Sequence, residues 1–152
     1  MSMINFNLQS YDEGMYGLIF EFATPPFKDK VWNVTSKYLT EGAFCFIEGI
    51  IYNYVPKYQN YGHWGTTEIN REQWLLIKSA LLILKSKVDH VQNLRELKPD
   101  LFDFKFIYED YLQEMAKKFS TFKPLFSQMI SDFITWVDDN IQKYGSIYIL
   151  GI

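Results

Sequence analysis

Two histidines, one cysteine and three adjacent pairs of acids are the side chains from which this chain could build a reaction centre. His63 and His90 are the groups able to move a proton near neutral pH. His90 closes the charged segment Val88-Asp89-His90 and reads as an exposed or helix-end histidine. His63 stands beside Trp64 in a loop bounded by Gly62 and Gly65, where a hydrogen-bonding contact role outweighs that of a base. Cys45, within AFCFIEGII, has apolar neighbours and no basic flank to stabilise a thiolate, so it reads as a small buried hydrophobe. Side chains adjacent on a helix point in different directions, and Asp12-Glu13, Glu109-Asp110 and Asp138-Asp139 therefore make poor acid and base partners. Metal-ligand spacings are absent, and Gly62-His63-Trp64-Gly65 is too short and too aromatic to cradle a phosphate. The expectation is a protein that is no enzyme and needs neither cofactor nor metal.

What the residue types offer instead is contact. Between Ile50 and Gln73 the run IIYNYVPKYQNYGHWGTTEINREQ gathers tyrosines, a histidine and a tryptophan in a Pro- and Gly-punctuated loop. Such rings combine large apolar area with a polar tip, the chemistry of interface anchors. One reading makes Tyr54, Tyr58, Tyr61, His63 and Trp64 anchors, with Glu41, Glu48 and Glu68 supplying charge that complements a basic partner. The other has Tyr52 and Tyr54 covering a sheet while Tyr58 and Tyr61 pack a long loop.

Composition sets the frame for either. With 152 residues, 48% apolar and 22% charged, the chain is expected to form one domain spanning 1–152 with a sizeable core. The aromatic share, 18%, is high enough to leave some rings at the surface. No apolar run reaches the length of a membrane span, and MSMINFNLQS lacks the basic and apolar regions of a secretory signal, so the expected compartment is the cytoplasm. The net charge is −3, with seven acids against four bases in residues 1–70 and eleven of each in 71–152. No block of Lys and Arg is dense enough to track phosphates, which argues against direct nucleic-acid binding and for a basic protein partner.

The elements that must position these residues follow from periodicity. Met3 to Leu8 alternates like a half-buried strand, and MYGLIFEF is expected to pair with it across a turn at Ser10 to Gly14, stopping at Pro25-Pro26. Lys30 to Leu39 reads as a third strand, Glu41-Gly42 as a tight return, and the continuous apolar run Ala43 to Val55 as the central strand, kinked at Gly49. Asn70 and Gln73 make a capping box that opens a helix from Arg71 to about Val88. Its stripe Trp74, Ile77, Leu81, Leu84, Val88 is widened by Leu75, Leu76, Leu82 and Ile83, so it is expected to be the central, widely covered helix. A second helix is expected to carry Phe104, Ile107, Tyr108, Tyr111, Leu112, Met115 and Phe119. A third opens at Thr121 and Pro124 and ends at Gly145, before a final strand in SIYILGI. Together these give an α+β fold: a mostly antiparallel sheet from the N-terminal half plus the C-terminal strand, placed at a sheet edge, with about three helices on one face.

The overall cast, together with the strand-to-helix passage GHWGTTEINREQWLLIKSALLIL, resembles the immunity proteins that neutralise bacterial polymorphic toxins, including those of contact-dependent growth inhibition systems. The resemblance implies a cytoplasmic protein that binds one cognate toxin domain, commonly a nuclease with a basic cleft, and occludes its active site. The competing expectation is a small-ligand-binding protein, or an enzyme of another kind, with an aromatic-lined cavity between sheet and helices.

Overall fold

The structure, a computed structural model, describes residues 3–12, 17–26, 32–58 and 65–151. It is α+β. Strands β1 (Gln9–Ser10), β2 (Ile19–Ala23) and β3 (Lys37–Thr40) precede helix α1 (Glu41–Tyr54). Strand β4 (Gly65–Asn70) leads directly into α2 (Arg71–His90), followed by 3-10 turns at Leu94–Leu97 and Pro99–Phe104, then α3 (Glu109–Lys117), α4 (Phe119–Tyr144) and β5 (Ser146–Gly151). Every pairing in the sheet is antiparallel, in the order β1-β3-β2-β5-β4.

Several elements form as the sequence dictates. Asn70 Oδ1 accepts from the Gln73 N–H while Gln73 Oε1 accepts from the Asn70 N–H, so the capping box starts α2 where expected. Gly145 takes the left-handed conformation (φ 73°) that ends α4 and turns the chain into β5. That last strand is not at an edge: it lies between β2 and β4, running against Phe20–Ala23 on one side and Gly65–Asn70 on the other. Thr67 and Ile69 face inward along β4, a two-residue alternation within TTEIN.

The largest departure is α1. The run from Ala43 to Val55 is helical, not a strand, and Glu41-Gly42 is its first turn rather than a return. Apolar continuity could not separate a buried strand from a buried helix, because both are covered all round. The helix is buried from Glu41 to Ile51 and packs against the sheet, α2 and the second 3-10 turn, which makes α1, not α2, the central helix. Gly49 is a contact point rather than a kink: a Cβ there would stand 2.5 Å from the Phe102 ring.

Residues Ile4, Phe6 and Leu8 point inward in alternation, yet they join no ladder, and β1 pairs with β3 rather than forming a hairpin with β2. The expected turn falls partly on Glu13 and Gly14, outside the described residues. Of the expected strand from Lys30 to Leu39 only Lys37 onward is a strand; Lys30 and Val31 lie outside the described residues, and Trp32 to Ser36 wraps a buried carboxylate. The expected second helix is divided. Phe102, Asp103 and Phe104 have positive φ, which breaks the helical path before α3, and Phe119 belongs to α4.

The core joins the inner faces of these elements. Phe6, Phe46, Phe122 and Phe126 cluster where α1 meets α4, Phe20 packs on Phe44, and Phe133 takes the edges of Phe22 and Trp74. The Trp74 Nε1–H donates to the Ile147 carbonyl at 3.2 Å, tying α2 to β5.

Candidate protein-binding face

Helix α2 uses one stripe for the interior. Trp74, Ile77, Leu81, Leu84 and Val88 are buried, and Lys78 fastens the helix to α4 through Asp138 at 2.7 Å. The same helix carries a second apolar stripe that faces water: Leu75, Leu76, Leu82 and Ile83 are 46%, 52%, 47% and 63% exposed. This corrects the expectation that they widen a covered helix. A core-facing stripe needs about 100° of circumference, and the five buried residues already supply it.

Along the exposed stripe Leu75 and Leu82 are seven residues apart, as are Leu76 and Ile83, with Ser79 between them and Ser86 about a turn beyond. The stripe continues into an open groove of about 300 Å³ between α1, α2 and the second 3-10 turn. Leu76, Ile83 and Leu84 form one wall, Ile50 and Tyr54 another, and Phe102 with Asp100 the rim. Asp100 also receives Lys87 at 2.9 Å. Tyr52, more than half exposed, packs its ring against Phe106 nearby. The result is a contiguous apolar surface with a polar border, the form an interface takes on an otherwise solvated protein.

Of the residues expected to make the contact, Tyr54 lies on this groove, half-buried against the core. Tyr61, His63 and Trp64 lie outside the described residues. Glu68 is exposed on β4 and accepts from the Tyr148 hydroxyl at 2.8 Å. Tyr58, Glu48 and Glu41 are corrected, since all three are interior. The Tyr58 hydroxyl donates to Glu48 Oε2 at 2.6 Å, and the Tyr111 hydroxyl donates to Glu41 Oε1 at 2.8 Å. Glu41, Cys45 and Glu48 repeat at helical spacing on α1 and meet the phenols along its length, so these carboxylates are satisfied internally.

No family model, curated protein or solved structure matches this chain. The functional reading therefore rests on its own surface and interior chemistry.

That chemistry also revises the charge argument. Of the acids described in residues 1–70, Glu21, Glu41 and Glu48 are buried, leaving Asp12 and Glu68 exposed. Among the described residues of this half, three of the five acids are folded inward, away from any surface a basic partner would meet. His90 sits exposed at the end of α2, with its Nδ1 2.6 Å from the Ser86 carbonyl. Cys45 is buried; burial, then the nearby Glu48 and Glu41 charges, push its thiol well above the usual range, which leaves it a poor nucleophile. No group of three or more His, Cys, Asp or Glu among the described residues is placed to hold a metal ion, and no helix is long and apolar enough to cross a membrane.

Burial pushes the Glu48 carboxyl up from 4.5 to about 7; the Tyr58 hydrogen bond opposes this and the Glu41 charge adds to it. A raised folded-state pKa means that the native form binds the proton more tightly. The associated stability is complete below pH 4.5 and is lost as pH climbs through about 7. At 1.36 kcal/mol per unit the ceiling is about 3 kcal/mol, and the neutral amide of Glu48→Gln escapes it while weakening the Tyr58 bond by about 1 kcal/mol. Glu48→Gln is expected to gain about 2 kcal/mol at pH 8.5 and to lose about 1 kcal/mol at pH 4, where only the weakened Tyr58 bond counts. Urea unfolding across that range checks it; a difference between the two proteins that is flat with pH refutes it.

Proposed function

We propose that this chain is a binding protein of the immunity type, which recognises one cognate toxin domain, a nuclease being the expected kind, and blocks it by occlusion. The observation that carries the protein-binding part is the exposed apolar stripe of α2 running into the Tyr54 groove. The toxin is what the sequence resemblance adds. Covering four half-exposed aliphatic side chains contributes roughly 1 to 1.5 kcal/mol each, enough to anchor a complex once a polar rim is added. With Glu21, Glu41 and Glu48 turned inward, affinity on this reading comes chiefly from apolar burial, and association depends only modestly on salt.

The test is protection. The protein is expressed with the toxin domain that this reading expects to be encoded immediately upstream, and growth and complex formation are followed with wild type and with Leu82→Glu. A charge in the centre of the stripe is expected to weaken the complex by about 100-fold or more while leaving the circular dichroism spectrum unchanged. Undiminished protection by the folded variant would remove α2 from the site.

A small-ligand reading has its place in the same groove, where Asn53, Tyr54 and Asp100 offer polar groups beside an apolar floor. The space between the inner face of α2 and α4, lined by Trp74, Ile77 and Phe133, has a volume of about 0 Å³ and admits nothing. A thermal shift with a metabolite panel that is lost in Tyr54→Ala would favour this reading over a protein partner.

A further inference from the structure

We propose that in the absence of its partner the chain pairs with a second copy of itself, α2 against α2 in antiparallel orientation, so that self-association covers the face proposed above for the toxin. The inference rests on that reading only for its regulatory consequence. The pairing itself follows from the pattern on the helix.

The exposed face presents large and small residues in alternation. Its central row is Leu75, Ser79, Leu82, Ser86, spaced by four, three and four residues, with Leu76 and Ile83 alongside. This is the spacing of a two-helix seam. When two such rows run antiparallel, Leu82 of one copy falls opposite Ser79 of the other, and Leu75 opposite Ser86. Each leucine then meets a serine, and the helices can approach closely without leaving a void. A parallel pair would instead stack leucine on leucine and serine on serine, alternating crowded and empty layers.

The helix dipoles favour the same orientation, since antiparallel pairing sets them in opposition. The end charges are mixed and favour neither orientation: Arg71 and Glu72 share the first turn of α2, and Lys87, Asp89 and His90 the last. Lys87 keeps its bond to Asp100, which places both charges at the rim rather than in the seam.

The area fits an exchangeable dimer. A 20-residue helix is about 30 Å long, and one face of that length gives an interface near the low end for stable association, about 1,000 Å² in total. The pairing proposed has a dissociation constant in the micromolar range, weak enough for a tight cognate partner to displace the second copy. Binding of the toxin would then proceed with dissociation of the dimer.

Sedimentation equilibrium of the protein alone tests the pairing. Wild type is expected to be dimeric at about 50 μM, and Leu82→Glu and Ile83→Lys to be folded monomers, a rise of about 100-fold in the dissociation constant. Leu75→Cys mixed with Ser86→Cys is expected to give a mixed disulfide in preference to either homodisulfide, and buried Cys45 does not interfere. A wild type that stays monomeric at about 200 μM, a Leu82→Glu that dimerises like wild type, or a preference for the Leu75→Cys homodisulfide overturns the proposal. Because the toxin is absent from these experiments, the two readings fail separately. A monomeric wild type whose Leu82→Glu variant loses protection removes the dimer and leaves the toxin face. A dimer whose folded monomeric variant still protects removes the toxin face and leaves the dimer.

Discussion

Glu21→Gln is expected to lower the unfolding free energy by about 3 to 5 kcal/mol, more than any single loss on the surface of this protein. Glu21 is 0% exposed, in the middle of β2, between β3 and β5. Its Oε1 accepts from the Trp32 N–H at 2.6 Å, while Oε2 accepts from the Asn33 N–H at 2.9 Å, the Asn33 side-chain amide at 2.8 Å and the Ser36 hydroxyl at 2.6 Å. The carboxylate thus organises the segment from Trp32 to Ser36, which Tyr38 also holds. Trp32 stacks on that ring at 5.7 Å, and the Tyr38 hydroxyl donates to the Asn33 carbonyl at 2.5 Å. Glutamine keeps the shape but turns one acceptor oxygen into a donor, so donors face donors around a side chain that is itself buried. Each orphaned donor costs about 1 to 3 kcal/mol, and Trp32, held at φ 64°, adds strain that these bonds help to offset. Chemical denaturation gives the loss directly. If Ser36→Ala, which removes one donor and keeps the carboxylate, costs as much as Glu21→Gln, the carboxylate is not the organising group.

This interior carboxylate also shows how far the sequence could be read. The capping box of α2, the glycine ending α4 and the closing strand were legible because each depends on a few neighbouring residues. The α+β class followed from them. Helix α1 was not, because its apolar residues fill every position and carry no period. The period lies in the exceptions: Glu41, Cys45, Glu48 and Tyr52 recur at helical spacing, a polar stripe through an apolar run. Reading the acids as surface charge obscured it. Glu21, Glu41 and Glu48 are partnered by Ser36, Tyr111 and Tyr58, distant residues that no local pattern connects. On α2 the error ran the other way. The second apolar stripe is visible in the sequence, but whether it faces a core or water depends on where α1 lies, and a strand at α1 would leave the middle of the fold to α2.

Gly49→Val is the second large effect, a loss of about 4 kcal/mol from overpacking and from β-branching inside a helix. A glycine in mid-helix is ordinarily a weakness, and alanine would gain about 1 kcal/mol there on propensity alone. Here that gain is overridden. A Cβ on Gly49 would meet Phe102 Cδ2 at 2.5 Å, Phe102 Cε2 at 3.0 Å and Phe106 Cδ2 at 2.9 Å. The rings are braced against one another: Phe102 lies in the run of left-handed residues Phe102, Asp103 and Phe104, and Phe106 meets Phe102 edge-on at 6.1 Å and Tyr52 at 5.4 Å. Gly145 supplies the contrast, since its Cβ position is empty within 4 Å and only its φ of 73° resists a side chain. Gly145→Ala is therefore expected to cost about 1 kcal/mol, and Gly49→Ala about 2 kcal/mol despite the better propensity. The order Gly49→Val, Gly49→Ala, Gly145→Ala in urea midpoints would show that close approach of α1 to the Phe102 turn, rather than backbone freedom, fixes a glycine there. An alanine at Gly49 as stable as wild type would mean that the turn yields. Because Phe102 rims the Tyr54 groove, such yielding would also reshape the surface proposed to receive the partner.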